Sequence, residues 1–420
     1  MALRTAIVGA GWAGLAAAVA ATQAGHAVTV FEAARTLGGR ARALPATLPD
    51  GTPVTLDNGQ HILIGAYRDT LALMRTVGVQ PESVLQRLPL SLVYPDGSGL
   101  RVPTGPAPFN LLAGVLCAKG WTWRDKWRLL RTTLRWRLNG FQCAPSLSVA
   151  ELGHTLSPRV MATLVEPLCV SALNTPAEQA SAQVFLRVLQ DSLFAGPGGA
   201  DLLLPRTDLG ALLPDAAAAW LLQRGAQVVA GHRVTALHTS TQGGWQVDGQ
   251  AFDRVVLACP APEAVRLLSH TATPWQTIAA ALRCEAITTV YTHHPDARLT
   301  APLIALPSGP DAPAQFVFDR GQLGGPAGLL AWVVSASVGE RETLQQQVLA
   351  QAQEQLGLRG LTPLQTVVEK RATFACTPGL ERPPMQVAPG LLACGDYVAG
   401  PYPATLEGAV RSGLAAAAAL

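Results

Sequence analysis

An α/β fold built around a Rossmann-like nucleotide-binding sheet is what this sequence predicts, and three observations near its N-terminal end carry that prediction. Residues 6–8 form a short apolar strand, Gly9, Gly11 and Gly14 follow without a gap, and an alanine-rich helical run fills 15–24. A second apolar strand at 28–31 then ends on an acid, Glu32. Strand, glycines, helix, strand and acid stand in the order of a βαβ unit that binds a dinucleotide. The three glycines act differently, for Gly9 permits the tight turn, Gly11 admits a pyrophosphate close to the backbone, and Gly14 lets the helix lie against the strand. The helix N-terminus, with Trp12 and Ala13 in its first turn, offers amides and a partial positive charge to the phosphates. Gly25 ends the helix. Glu32, with Ala33 beside it, is placed to accept hydrogen bonds from a ribose hydroxyl pair.

Nicotinamide and flavin dinucleotides share this fingerprint, and the residues that follow separate them. Leu37-Gly38-Gly39-Arg40-Ala41-Arg42 brings a second glycine pair close behind the acid. Gly38 and Gly39 let the chain pass near a ligand, and Arg40 offers a planar cationic fork to a pyrophosphate. EAARTLGGRAR after GAGWAGL resembles the flavin amine oxidase and carotenoid desaturase superfamily. The resemblance implies FAD as cofactor, a Rossmann-like FAD-binding domain of the glutathione-reductase/amine-oxidase type, and a discontinuous mixed α+β substrate domain. It also implies a second signature near the C-terminus, and LLACGDYVAGPYPATLEGA at 391–409 matches it. There the resemblance puts Gly395 at the end of a strand and Asp396 on the ribityl hydroxyls. Ala404, Thr405 and Leu406 open a helix aimed at the pyrimidine edge of the flavin, where its dipole would stabilise a reduced, anionic ring.

Between the two signatures, HRVTAL at 232–237 resembles the strand that contacts adenine, with Val234 as the contact, and RVVLACP at 254–260 resembles its return strand. The stretch from Asp57 to Tyr67 follows a turn at 49–51, and in the superfamily it passes the flavin ring. Asn58, Gly59 and Gln60 are therefore expected at the cofactor, with Gln60 or His61 facing the substrate. His61 is a candidate general acid, because imidazole titrates near neutrality; the alternative is a hydrogen-bonded core histidine. Tyr402 competes for the catalytic role. The resulting division is 1–70, 202–265 and 385–420 for the cofactor domain, and 71–201 with 266–384 for the substrate domain. Neither 196–199 nor 321–325 has the strand-glycine-helix order of a second fingerprint, so electrons are expected to come from a visiting nicotinamide or a protein donor.

Composition narrows the field. Of 420 residues 49% are hydrophobic and only 14% are charged, against about 25% charged in soluble proteins generally. Such a chain folds around large cores and suits an apolar ligand. A net charge of +3, from 31 basic and 28 acidic residues, is too small for a nucleic-acid partner. Seven cysteines without CxxC spacing argue against a disulfide framework or zinc cluster and for free thiols in a reducing, cytoplasmic setting. His293 and His294 are adjacent with no third ligand in view, so no metal is expected. No apolar run reaches the roughly eighteen residues of a spanning helix. The glycines and the following strand set the N-terminal segment apart from a signal peptide.

One segment departs from the average. Residues 119–137 carry seven basic side chains against the single acid Asp125, with Trp121, Trp123, Trp127 and Trp136 among them. Trp123, Trp127, Leu130 and Leu134 repeat at helical spacing, and Arg124, Arg128, Arg131 and Arg135 repeat on a face rotated by about 100°. A helix around 121–138 is expected either to lie at the membrane interface, on the inner face of the cytoplasmic membrane, or to pack its tryptophans into the core with a solvated basic face.

Four longer strings resemble a narrower group, the FAD-dependent hydroxysqualene dehydroxylases of bacterial hopanoid synthesis, also called squalene-associated desaturases. They are LDNGQHILIGAYRDTLALMRTVG, EPLCVSALNTPAEQASAQVFLRVLQDSLF, ADLLLPRTDLGALLPDAAAAWL and GPYPATLEGAVRSG. This resemblance implies reductive removal of a hydroxyl from an isoprenoid alcohol, with hydride from reduced flavin reaching an allylic cation-like centre while His61 helps water leave. Two other readings stay open: an oxidative carotenoid desaturase or flavin amine oxidase, and an isoprenoid carrier without flavin chemistry. Nine Trp, five Tyr and nine Phe give little material for an aromatic amine cage, and Gly39-Arg40 with Gly395-Asp396 would have no purpose in a carrier.

Overall fold

Apolar runs too short for helices become the strands of a six-stranded sheet in the computed structural model, which describes residues 2–105, 108–194, 196–240, 243–269 and 274–420. The strand order is Gln227–Ala230, Ala27–Glu32, Arg4–Val8, Arg254–Leu257, Leu391–Ala393 and Gln386–Ala388. The first five run parallel and the last is an antiparallel edge. Near-continuous runs such as VVL and LLA are what a parallel sheet covered on both faces requires.

The helix Trp12–Gln23 begins on Gly11 and is buried nearly all round, which an alanine-rich helix tolerates when it lies between layers. On one side is the sheet, on the other the C-terminal helix Leu406–Ala418. Their approach is close enough that a Cβ on Gly413 would overlap the Ala13 carbonyl oxygen.

A second sheet of five antiparallel strands has the order Leu303–Ala305, Phe316–Asp319, Leu329–Ser335, Cys284–His293 and Thr362–Phe374. Alternation divides its side chains between two faces. Val290, Val317, Leu330, Trp332 and Val334 pack beneath the helix Arg341–Leu356, while Phe316, Phe318 and Val333 face the other way. Leu202–Pro205 joins neither sheet and pairs with Leu63–Ile64 and Leu85–Leu88.

Two expectations change here. Residues 232–236 are not a strand but an irregular connection between Gln227–Ala230 and Leu237–Thr239. The physical reason is that Asp248 Oδ1 accepts from the Thr235 and Ala236 amides at 3.0 and 2.8 Å, occupying donors that a ladder would need. The helix Trp123–Leu138 exists, but the tryptophans of its stripe are not in the core: Trp123 is 73% and Trp127 68% exposed, while Trp136, off that stripe, is half-buried against the core. The buried face is Asp125, Lys126, Leu129 and Thr132, so the core-packed reading of the tryptophan stripe is set aside. Among the described residues no helix is long and apolar enough to cross a membrane. The seven cysteines are unpaired.

Candidate active site

A cavity of about 830 Å³ opens at the carboxyl ends of the parallel strands, where Val8, Phe31 and Glu32 meet Ala258 and Gly395. This is the end of an open α/β sheet at which ligands bind. Gly9 turns the chain there with φ +115°, its amide donating to the Phe31 carbonyl at 2.7 Å; a Cβ would meet the Ala258 carbonyl at 2.7 Å. Gly11, Trp12 and Ala13 line the cavity, and the cap residue Gly11 has no side chain to satisfy the helix's first amides. Gly14 stands behind the cavity, where a Cβ would overlap the Gly9 carbonyl; it sets the helix–strand distance and does not face the ligand.

The second glycine pair is fastened to this turn. Gly38 N–H donates to Ala10 O at 2.9 Å, and the Trp12 indole N–H reaches Ala41 O at 3.1 Å. Asn58, 3% exposed, closes the loop from the other side. Its Nδ2 donates to Arg40 O at 2.7 Å, and its Oδ1 accepts from Arg42 N–H at 2.9 Å. Asn58 thus lines the cavity while its amide is committed to shaping the Gly38–Gly39–Arg40 turn.

Glu32 and Ala33 lie on the same wall. Glu32 accepts from Ala10 N–H at 2.7 Å and Ala34 N–H at 2.8 Å through different carboxylate oxygens, each keeping lone-pair capacity for a further donor. Val234 borders the cavity from the irregular 232–236 connection, its carbonyl held by Arg266 at 2.6 Å.

Arg40 lines the cavity and is also held by protein: its Nη2 pairs with Asp396 Oδ1 at 2.5 Å and its Nη1 donates to Ala372 O at 2.7 Å, which leaves further N–H donors on the guanidinium. Asp396 is 8% exposed, and a carboxylate that deeply placed needs a cation. Beside it, Gly395 takes φ +151°, and a Cβ there would press on the Tyr397 ring. Ala404, Thr405 and Leu406 complete this wall at the start of the C-terminal helix, with Thr405 capping the Gly408 amide at 3.0 Å.

Gly59, Gln60 and His61 all line the cavity. They lie in an irregular stretch ahead of the strand Leu63–Ile64, not inside a strand. His61 Nδ1 is 2.7 Å from Gly59 O. A carbonyl only accepts, so Nδ1 carries the proton and Nε2 of the neutral ring is an acceptor. Burial lowers the His61 pKa below the ordinary histidine value; the Gly59 carbonyl opposes this and the Arg40 charge adds to it. In the neutral ring, which burial favours, His61 offers Nε2 as an acceptor; in the protonated ring the same nitrogen donates. Tyr402 is outside the cavity lining. Its hydroxyl donates to Asp191 at 2.6 Å and accepts from Arg411 at 2.9 Å, which removes it from the reacting end.

Several contributors escaped the sequence reading. Phe316, Phe318, Val333 and Ile287 present the antiparallel sheet's inner face as an apolar wall. Asn174, with φ +48°, ends the helix Glu166–Leu173 and bonds Thr373 Oγ1 and the Ala336 amide, tying that helix to the sheet. Arg382 donates to Asp396 O at 3.1 Å and Tyr402 O at 2.9 Å, holding the 396–402 loop. Asn174 lies in the string EPLCVSALNTPAEQ, but no local signal marks the part any of these plays, because segments distant in the chain assemble it.

A dinucleotide fits this lining on two grounds. The glycine cradle leaves space that Cβ atoms would fill. Gln60 Oε1 and the Tyr397 hydroxyl, both buried in residues of the cavity wall, have no hydrogen-bond partner among the described residues, and such groups call for one from a ligand or water.

Residues 12–420 match the family of flavin containing amine oxidoreductases. A hydroxysqualene dehydroxylase from Sinorhizobium fredii is 29% identical over 98% of this chain and 96% of its own. A probable zeta-carotene desaturase from Synechococcus elongatus is 28% identical over 65% of this chain and 62% of its own. Among solved structures, an oxidoreductase from Methanosarcina mazei shares the fold with a TM-score of 0.75 at 16% identity, covering 98% of this chain and 99% of that one.

Proposed function

The chain belongs to the flavin-containing amine oxidoreductase family and is a flavin-dependent oxidoreductase; from that premise we propose that it is an FAD-dependent hydroxysqualene dehydroxylase, reducing hydroxysqualene to squalene. The observation that carries this reading is the end-to-end likeness to a hydroxysqualene dehydroxylase, over 98% of the chain, where likeness to a carotene desaturase spans 65%. The apolar wall of Phe316, Phe318, Val333 and Ile287 supports it, since an isoprenoid is selected by shape and hydrocarbon contact.

In this reading one hydride and one proton drawn from solvent enter and one water leaves, the carbon–oxygen bond breaking and a carbon–hydrogen bond forming. Reduced FAD, when bound, supplies the hydride. The residues that would hold it are those of the cradle: Gly9, Gly11 and the helix start at Trp12 and Ala13 for the pyrophosphate, Glu32 for the ribose, Val234 for adenine, and Gly395 to Leu406 for the flavin end. Asn58 shapes the glycine turn, and Arg40 pairs with Asp396 and orients it. His61 presents Nε2 to the substrate hydroxyl, accepting its hydrogen bond and fixing the carbon–oxygen bond in the cavity. The hydrocarbon wall keeps bulk water from recapturing the allylic centre as the oxygen departs.

The test is product analysis: protein supplied with hydroxysqualene in detergent and a chemical reductant under anaerobic conditions should yield squalene. No squalene, together with bleaching of the oxidised protein by a polyene or an amine, would replace the reading with a desaturase or an amine oxidase.

A further inference from the structure

Away from the cavity, the consecutive helices Phe109–Cys117 and Trp123–Leu138 turn an apolar surface outward. Phe109 is 71% and Leu138 76% exposed, and Leu116, Trp123, Trp127 and Leu134 are exposed between them. The second helix is largely inverted relative to a soluble surface helix, because Asp125, Lys126 and Thr132 are buried with Leu129 while Trp123, Trp127 and Leu134 point out. This orientation is fixed by bonding. Lys126 Nζ donates to the Leu116 carbonyl at 2.7 Å, closing the first helix, and sits 5.0 Å from the centre of the Trp123 ring. Thr122 and Asp125 cap each other's amides, and the Trp121 indole N–H reaches Thr163 Oγ1 at 3.0 Å.

Around the stripe stand Arg124, Arg128, Arg131 and Arg135, and among the described residues none of the four is in an ion pair. A surface that is apolar along its crest and cationic on its flank matches an anionic bilayer, whose acyl chains take the crest and whose phosphates take the guanidinium groups. A second copy of this chain fits poorly, because seven cations against one acid in 119–137 would face the same excess.

We propose that this face docks the protein on the surface of an anionic phospholipid membrane. The proposal is independent of the identity of the substrate. It is tested by co-sedimentation with vesicles of phosphatidylcholine alone or mixed with phosphatidylglycerol, and by quenching of tryptophan fluorescence with brominated acyl chains. The wild-type chain should partition onto the mixed vesicles, weaken with salt, and be quenched. Trp123→Ala with Trp127→Ala should lower partitioning by about tenfold or more, with thermal melting unchanged because neither indole is buried. Arg124→Gln with Arg128→Gln and Arg131→Gln should abolish the preference for phosphatidylglycerol. Absence of partitioning at low salt, or partitioning unaltered in both variants, overturns the proposal. A dimer that dissociates in the tryptophan variant would assign the face to a second copy instead.

Discussion

At the residue scale, His61 carries the sharpest consequence. With its Nδ1 proton on the Gly59 carbonyl at 2.7 Å, the ring can accept at Nε2 without changing tautomer. Its pKa is lowered below the ordinary histidine value by burial, so the neutral form is favoured at neutral pH. If neutral His61 orients the substrate, the single-turnover rate should hold level above that pH and fall on acidification; a general acid would give the opposite slope. His61→Phe should slow flavin reoxidation by hydroxysqualene about 10²-fold, and His61→Gln, which can still accept, should recover part of the loss. A rate that climbs on acidification, or is unchanged in His61→Phe, would remove this role. The sequence placed His61 at the cavity but not its tautomer, which depends on a carbonyl two residues back and on the local backbone. Arg40 is a similar case: its partner Asp396 is distant in sequence, and nothing local to either residue announces the pair.

At the element scale, the nucleotide-binding βαβ unit was legible because its apolar runs, glycines and terminal acid all lie within 30 or so residues, where periodicity and turn chemistry act locally. The five-stranded sheet was not, since its register is set by pairings such as Val290 with Trp332 and Thr366, far apart in the chain. Nor was the way one helix caps another. Glu407, 3% exposed in the first turn of Leu406–Ala418, accepts from the Asp69 amide at 3.1 Å and from the Thr70 amide and hydroxyl at 2.9 and 2.7 Å. It thereby satisfies the start of the helix Arg68–Thr76 while its own helix packs on Trp12–Gln23. Glu407→Ala leaves those donors buried and should cost about 2–4 kcal/mol in urea unfolding. A cost below about 0.5 kcal/mol, the range of neutral surface changes, would show that the cap does not support the fold.

At the scale of the whole molecule, Asp57 joins three distant segments. Its Oδ1 accepts from the Leu209 amide at 2.8 Å, and its backbone carbonyl accepts from the Tyr291 hydroxyl at 2.9 Å. Burial pushes its pKa up to about 7, against the pull of the Leu209 amide and Arg320. A carboxylate whose folded value is raised binds its proton more tightly in the folded state, so its contribution is full below about pH 4 and lost as pH rises to about 7. Asp57→Asn keeps an acceptor for Leu209 without the charge. Relative to wild type it should gain stability between pH 5 and pH 8, by at most about 4 kcal/mol; a difference independent of pH would contradict the assignment.

The central claim is the direction of electron flow, and anaerobic stopped-flow mixing of the reduced flavoprotein with hydroxysqualene tests it most directly. The expected result is reoxidation of the flavin in a single turnover, with one squalene extracted per flavin reoxidised. Flavin that stays reduced while hydroxysqualene is recovered unchanged, in a protein whose oxidised form a polyene or an amine reduces, would contradict it.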